Sequence, residues 1–353
     1  MLQDKFEEKI RRFITPKTRL TTGPTARPMS LLYVFDEFME DCGTMNAWSE
    51  GTYGKMRSLK VDLREFRKNL KFSDLNEKTL TAFVTYLREE KALNTPRKKK
   101  GDRDEYDKED VTGLRNSTIF KKLGYLRWFL NWATEKGYNT QMAFRSFHPT
   151  LKTTQTKVIY LTTEELKRLI ALDLSAVRKW EPIRDIFIFC CFSGLRFSDA
   201  QALCWSDVKA DHLEVTTIKT ADSVQIEIND VTRSLLEKYR AIPMKNNRVL
   251  PQYTNQAMNR ELKQLCRMAG MDEPIRITTY KGSVRLDEVH PKWALVGSHT
   301  GRKTFIVQAL SRGIPPNIVM KWTGHSDYKA MKPYIDIVDS IKASEMSKMN
   351  FLD

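Results

Sequence analysis

From Leu31 to about Lys136 the apolar residues recur at three- and four-residue intervals, a period that fits helices and little else. Leu31, Leu32, Val34, Phe35 and Phe38 make the first stripe. Tyr53–Asn69 and Lys78–Glu90 read as two more, the latter with Leu80, Phe83, Val84 and Leu87 at i, i+3, i+4 and i+7. The clearest is Thr118–Lys136, striped by Ile119, Leu123, Leu126, Leu130 and Ala133; Ser117 is placed to cap its start and Gly137 to stop it. A four-helix bundle over residues 30–147 is the expectation. The basic segment 1–29, with Pro16, Pro24 and Pro28, has room for a brief helix around Asp4–Ile14 but not for a domain.

Two polar stretches interrupt the pattern. NTPRKKKGDRDEYDKEDVTG, between the third and fourth helices, offers little to bury and reads as a mobile loop. Its Arg97–Lys100 cluster suits either DNA phosphates or solvent. HPTLKTTQTKV, residues 148–158, reads as a linker. Beyond it, from 159 to 353, the period changes. Thr162 or Thr163 can cap a helix with Glu164 and Glu165 in its first turn, and the apolar helix Ile183–Phe192 stops at Ser193-Gly194. Leu213–Ile218 and Ser223–Ile228 flank the turn KTAD as a hairpin. Helices follow at Val231–Arg240 and Gln256–Met268, then a small β element at Ile275–Thr279 and Ser283–Leu286 around Lys281-Gly282, and helix from Ser298 onward. The fold class is predominantly α, α+β overall, with a helical bundle followed by a mixed domain holding little sheet.

Charge narrows the partner. Of 59 basic and 44 acidic residues, 29 and 21 fall in 1–150, leaving 30 and 23 beyond, so both halves are basic. Two basic domains on one chain suit a polyanion held between them, with salt-sensitive binding. No apolar run approaches the roughly 20 residues a membrane span needs, and MLQDKFEEKIRR lacks a signal-peptide core. A cytoplasmic protein is the expectation. Five cysteines form no CxxC pair and no Cys/His ligand spacing, which argues against a disulfide framework or a zinc site.

Six polar residues of the second half carry the chemistry: Arg196 in SGLRFSDA, Lys219 in IKT, His299 and Arg302 in SHTGRKTF, His325 in WTGHSD and Tyr334 in KPYID. Each alone has a plainer reading. Arg196 could pair with Asp199, Lys219 could be one surface lysine among many, and HxxR is a weak motif. His325 could be a satisfied structural histidine, and Tyr334 could serve packing. His299 and Arg302 at i and i+3 do share a helix face, near an N-terminus that favours phosphate. Together the six supply two guanidiniums, an ammonium, two imidazoles and a phenol, an inventory suited to gripping and attacking a phosphodiester.

The order and spacing of these elements resemble the tyrosine recombinase (phage integrase) family over about 160–340. The bundle at 31–136, with NSTIFKKLGYLRWFLNWATEKGY, looks more loosely like the family's SAM-like core-binding domain. Trp322 stands where many members have leucine, a change in packing. Tyr328, three residues after His325, does not fit the spacing that Tyr334 fits.

The resemblance implies a site-specific DNA recombinase in which Tyr334 is the nucleophile, forming a 3′-phosphotyrosyl intermediate. Arg196 and Arg302 would hold the non-bridging oxygens. His299 and His325 would assist, and Lys219 would be the general acid. The covalent bond conserves phosphodiester energy, so neither ATP, a metal nor another cofactor is expected. The resemblance implies double-stranded DNA and a homotetramer on it as partners, for integration, excision or inversion of a mobile element, and leaves a DNA-bending accessory protein open. The tail after Tyr334 could pack in cis or on a neighbour. Lys121, Lys122, Arg97 and Lys98 are offered as DNA contacts. Relaxation of the type IB topoisomerase kind and a regulator without catalysis are the alternatives.

Overall fold

The computed structural model describes residues 30–92, 112–155, 157–338 and 346. The loop expected over residues 94–113 lies outside them except for Thr112 and Gly113, so Arg97 and Lys98 are not described; the segment 1–29 and the tail after Val338, apart from Met346, also lie outside. Two compact units emerge. One runs through Thr154 and includes Thr279–Leu286; the other comprises Gln155–Thr278 and the residues from Asp287 on.

The first unit contains α1 (Leu31–Met45), α2 (Glu50–Phe66), α3 (Glu77–Thr85) and α4 (Asn116–Glu135). Ser30 and Asn76 cap α1 and α3 by accepting from Tyr33 and Thr79 N–H groups. The apolar stripes meet as expected: Phe35, Phe38, Leu59, Leu63, Leu80, Leu87, Phe129 and Leu130 are all buried, and the Phe35 and Phe129 rings lie 4.5 Å apart. Two local expectations differ. Ser117 lies inside α4, whose cap position is Arg115, with no side-chain hydrogen bond to the helix. The third helix closes with a π-helical turn, Tyr86–Glu90, before Lys91 leaves it.

The second unit has α5 (Thr163–Ile170), α6 (Glu181–Ser193), α7 (Phe197–Ala202), β1 (His212–Thr216), β2 (Ser223–Glu227), α8 (Asp230–Arg240) and α9 (Asn255–Met268). After the antiparallel pair β3 (Pro274–Lys281) and β4 (Val284–Pro291) come α10 (Ser298–Ser311), α11 (Pro316–Thr323) and α12 (Lys332–Ile335). Thr162 caps α5 reciprocally with Glu165, the two bonds being 3.2 and 2.7 Å. In the β1–β2 ladder Leu213 faces Ile226 and Val215 faces Val224, and these four turn inward. Helix α6 is buried along nearly its whole length, through Ile186, Phe187, Phe189 and Cys190. It packs tightly against α10, where a Cβ at Gly301 would lie 2.9 Å from the Cys190 Cβ. The far face of α10 buries Ile306, Val307 and Leu310 with Val319, Met331 and Val338. Among the described residues no helix is long and apolar enough to cross a membrane.

Candidate active site

The site begins where α6 ends. Gly194 closes that helix at φ +72°, and a Cβ there would lie 2.6 Å from the Phe305 ring, so conformation and space both require glycine. The chain then extends through Arg196, the cap residue of α7. Arg196 Nη1 stands 3.6 Å from Asp199 Oδ2, a carboxylate 1% exposed. That is ion-pair range but too long for a hydrogen bond, and both atoms are buried without a hydrogen-bond partner. The expected pairing exists, yet it leaves the buried Nη1 without a hydrogen-bond acceptor. Asp199 Oδ1 meanwhile accepts the Ile218 N–H at 3.1 Å, which ties the Arg196 turn to the β1–β2 turn that presents Lys219. Lys219 itself is exposed, next to Ala221 at φ +56°.

Arg302 is the hub. Only 2% exposed, it donates from Nη1 to the Gly194 carbonyl at 3.0 Å and from Nη2 to the Thr323 carbonyl. The same Nη2 approaches His325 at 3.3 Å from Nε2. Two turns from different helices are thereby pinned to one side chain. Burial and then the charge of Arg196 lower its pKa to about 10, which still leaves it protonated at neutral pH.

His325 follows Gly324, which ends α11 at φ +57°. Thr323 Oγ1 donates its one proton to the Val319 carbonyl at 2.6 Å, so its 2.7 Å contact with His325 Nδ1 must be accepted from the imidazole. The hydrogen-bond network therefore assigns His325 the Nδ1–H tautomer, with Nε2 as the acceptor that faces Arg302 Nη2. Desolvation, then Arg302, Arg196 and His299, push its pKa down to about 4. His299, in the first turn of α10, also falls to about 4, through desolvation and then Lys303, Arg302, Arg196 and Lys219. Both imidazoles are neutral at pH 7.

Tyr334 sits half-buried on α12 against the Ile306–Val319–Met331 cluster. Burial raises its pKa while Arg302 pulls it down, so the phenol feels the same guanidinium as His325. Tyr328 is 58% exposed in a separate turn. Trp322 does more than pack: its ring meets Phe305 at 5.9 Å and its indole N–H donates to Glu227 on β2.

The six residues are thus gathered in one unit, with Arg196, His299, Arg302 and His325 mutually within electrostatic reach. Lys122, offered as a DNA contact, is instead held by the buried Asp62 carboxylate and by Ser58 Oγ at 2.9 Å in the first unit. Its neighbour Lys121 is exposed. Lys303 went unremarked in the sequence, although its i+4 spacing from His299 was the available signal.

Residues 160–340 match the phage integrase family and residues 30–150 the phage integrase SAM-like domain; the chain belongs to the phage integrase family of site-specific DNA recombinases. The fold is shared with solved structures at low identity. A lambda integrase dimer bound to a COC′ core site is 14% identical, with TM-score 0.61, and the alignment covers 94% of this chain and 86% of that one. The Tn1549 transposon integrase in complex with circular intermediate DNA is 15% identical, with TM-score 0.58 and coverages of 90% and 99%. A lambda integrase tetramer on a Holliday junction is 14% identical, with TM-score 0.59 and coverages of 92% and 87%. No curated protein sequence matches this chain.

Proposed function

We propose that this recombinase cleaves DNA with Tyr334. The phenol oxygen attacks the scissile phosphorus and loses its proton to the site, a 3′-phosphotyrosyl bond forms, and the bond to the 5′-oxygen breaks. Lys219 protonates that leaving oxygen, and its exposed position on the β1–β2 turn gives it the freedom to reach. Arg196 and Arg302 hold the non-bridging oxygens. The neutral His325 accepts through Nε2, taking up the phenol proton or hydrogen-bonding a phosphate-bound proton, and His299 assists from the α10 face. Reversal with a different 5′-hydroxyl as the attacking group exchanges strands. A homotetramer on two duplexes is the assembly that four such exchanges require, and movement of a mobile element is the reaction's setting. Lys121 is the contact we assign to DNA in the first unit.

The observation that carries this reading is the cation excess around Arg302, which feels both the Arg196 guanidinium and the Tyr334 phenol, with the buried Asp199 carboxylate paired to Arg196 as counter-charge. A phosphodiester completes that balance. The test uses nicked suicide duplexes carrying the ends of the element beside the gene. A denaturation-resistant protein–DNA adduct is expected from the wild type and Tyr328→Phe and is expected to be absent from Tyr334→Phe. Tight binding with no adduct from any variant would instead support a DNA-binding regulator.

A further inference from the structure

Arg196 caps α7, and the His299–Arg302 pair stands on a different helix, α10. Both are cationic, and like charge pushes them apart. A loop and a helix that carry none of the six residues join them through side-chain hydrogen bonds. Gln201, on α7, donates from Nε2 to the Pro251 carbonyl at 2.9 Å and accepts the Tyr253 N–H on Oε1 at 2.6 Å. Its own carbonyl accepts from Gln252 Nε2 at 2.9 Å. The loop continues into Thr254, which caps α9 by accepting the Ala257 N–H at 3.2 Å. Asn255 and Asn259 follow one turn apart on one face of that helix.

Those two asparagines hold the start of α10. Asn259 Oδ1 accepts the Ser298 N–H at 2.6 Å, and Ser298 Oγ donates to Asn255 Oδ1 at 2.6 Å. The reason lies in the sequence. The cap position of α10 is Gly297, which has no side chain with which to satisfy the first-turn N–H groups. A Cβ at Gly297 would lie 3.1 Å from Asn259 Oδ1, so the missing side chain and the borrowed cap occupy nearly the same space. Glycine at this cap is the counterpart of asparagine at 259.

We propose that Gln201, Asn255 and Asn259 form a polar brace that fixes the spacing between the Arg196 turn and the first turn of α10, so that both guanidiniums address one phosphate. They are positioning residues: they act on backbone and on Ser298, not on the reacting atoms. Directional hydrogen bonds suit this task better than apolar packing, because they resist both sliding and the mutual repulsion of the cations. The inference rests on the function proposed above.

The experiment compares Asn259→Ala, Asn259→Asp, Gln201→Leu and the Gln201→Leu/Asn259→Ala double variant. Single-turnover cleavage of the suicide duplex is expected to fall about 10- to 100-fold in each alanine or leucine variant, the scale of an ångström-sized misplacement. Equilibrium DNA binding should stay within about threefold, since the charges that set it remain. Asn259→Asp should recover most of the rate, because its carboxylate accepts the same N–H at a favourable helix end. The double variant should lose less than the product of the single losses, because the residues belong to one brace. Hydrogen exchange in the free protein supplies a readout that needs no DNA. Amides at Ser298–Arg302 should exchange faster in Asn259→Ala and in Gln201→Leu, but not in Asn259→Asp. Cleavage within twofold of wild type, unchanged exchange, or a rate loss that follows only the unfolded fraction would overturn the brace. If the wild type forms no adduct, the proposed chemistry falls, and the exchange measurement still decides the brace.

Discussion

Replacing Gly194 with alanine tests the geometry of the site at a single carbon. Two costs add. An L-residue held at φ +72° pays about 1–2 kcal/mol for the left-handed conformation. The new Cβ would stand 2.6 Å from Phe305 Cδ1, and relieving such an overlap in a packed core costs about 1–3 kcal/mol. Stiffening of the unfolded chain returns about 0.4–1 kcal/mol. The expected net loss is roughly 2–4 kcal/mol. Gly270→Ala is the control, because Gly270 is also left-handed, at φ +67°, but has no atom within 4 Å of its would-be Cβ. The difference between the variants isolates the Phe305 overlap at about 1–3 kcal/mol, or roughly 2–12 °C in the melting of a unit this size. Function should separate them further. The Gly194 carbonyl accepts from Arg302 at 3.0 Å, and Phe305 supports Trp322 beside the His325 turn. Gly194→Ala should therefore slow adduct formation about 100-fold, while Gly270→Ala leaves it unchanged. Melting and cleavage by Gly194→Ala that match Gly270→Ala would refute the reasoning.

The histidines predict the pH response. His299 and His325 have folded pKa values of about 4, below the ordinary 6.5, so below pH 6.5 the unfolded chain binds more protons and stability falls. The loss should run from about pH 6.5 to about pH 4, and urea midpoints of a His299→Gln/His325→Gln variant should show a shallower slope over that window. Arg302→Lys should lose at least about 100-fold in cleavage rate while still binding DNA, because one ammonium cannot serve two carbonyls and a phosphate; near-wild-type strand exchange would contradict it. Asp199→Ala removes the acceptor of the Ile218 N–H and the counter-charge of Arg196, so cleavage should fall more than with Asp199→Asn, which can still accept; equal rates would argue against the link to Lys219. In the first unit, Lys122→Ala should destabilise by about 1–3 kcal/mol, since among the described residues Asp62 then keeps only Lys91 at 3.1 Å. Lys121→Ala should leave melting unchanged and reduce the salt slope of DNA binding by about one.

The bundle was legible because a helix that buries one face must repeat its apolar residues, and Ile119, Leu123, Leu126 and Leu130 do so without interruption. The hairpin was legible for the same reason at a period of two. What escaped was local choice among near-equivalents. Ser117 is a good capping type, but α4 begins too early to use it. Lys121 and Lys122 are chemically alike, and only the fold places Asp62, 60 residues earlier, beside the second. At the site, the order of the six residues could be read along the chain because each belongs to its own short segment. The groups that hold them could not. Asp199 reaches Ile218 across 19 residues, and Asn259 reaches Ser298 across 39. Neither pairing has a spacing rule.

Those holding groups explain how so much positive charge persists in one place. Among the described residues no carboxylate hydrogen-bonds the buried Arg302, and burial, then Arg196, pushes its pKa down. Two buried carbonyls carry the compensation instead, those of Gly194 and Thr323, each at the mouth of a glycine-ended helix. Helix C-terminal carbonyls bear partial negative charge, so they stabilise the guanidinium without neutralising it. A carboxylate in their place would compete with the phosphate for the same donors. The two histidines follow the same logic, because depressed basicity keeps them neutral among the cations and leaves His325 Nε2 an acceptor. The free site is thus held by neutral acceptors in a state that an entering phosphodiester relieves. That is why glycines at 194 and 324, which only shape the backbone, bear as directly on the chemistry as the charged residues they present.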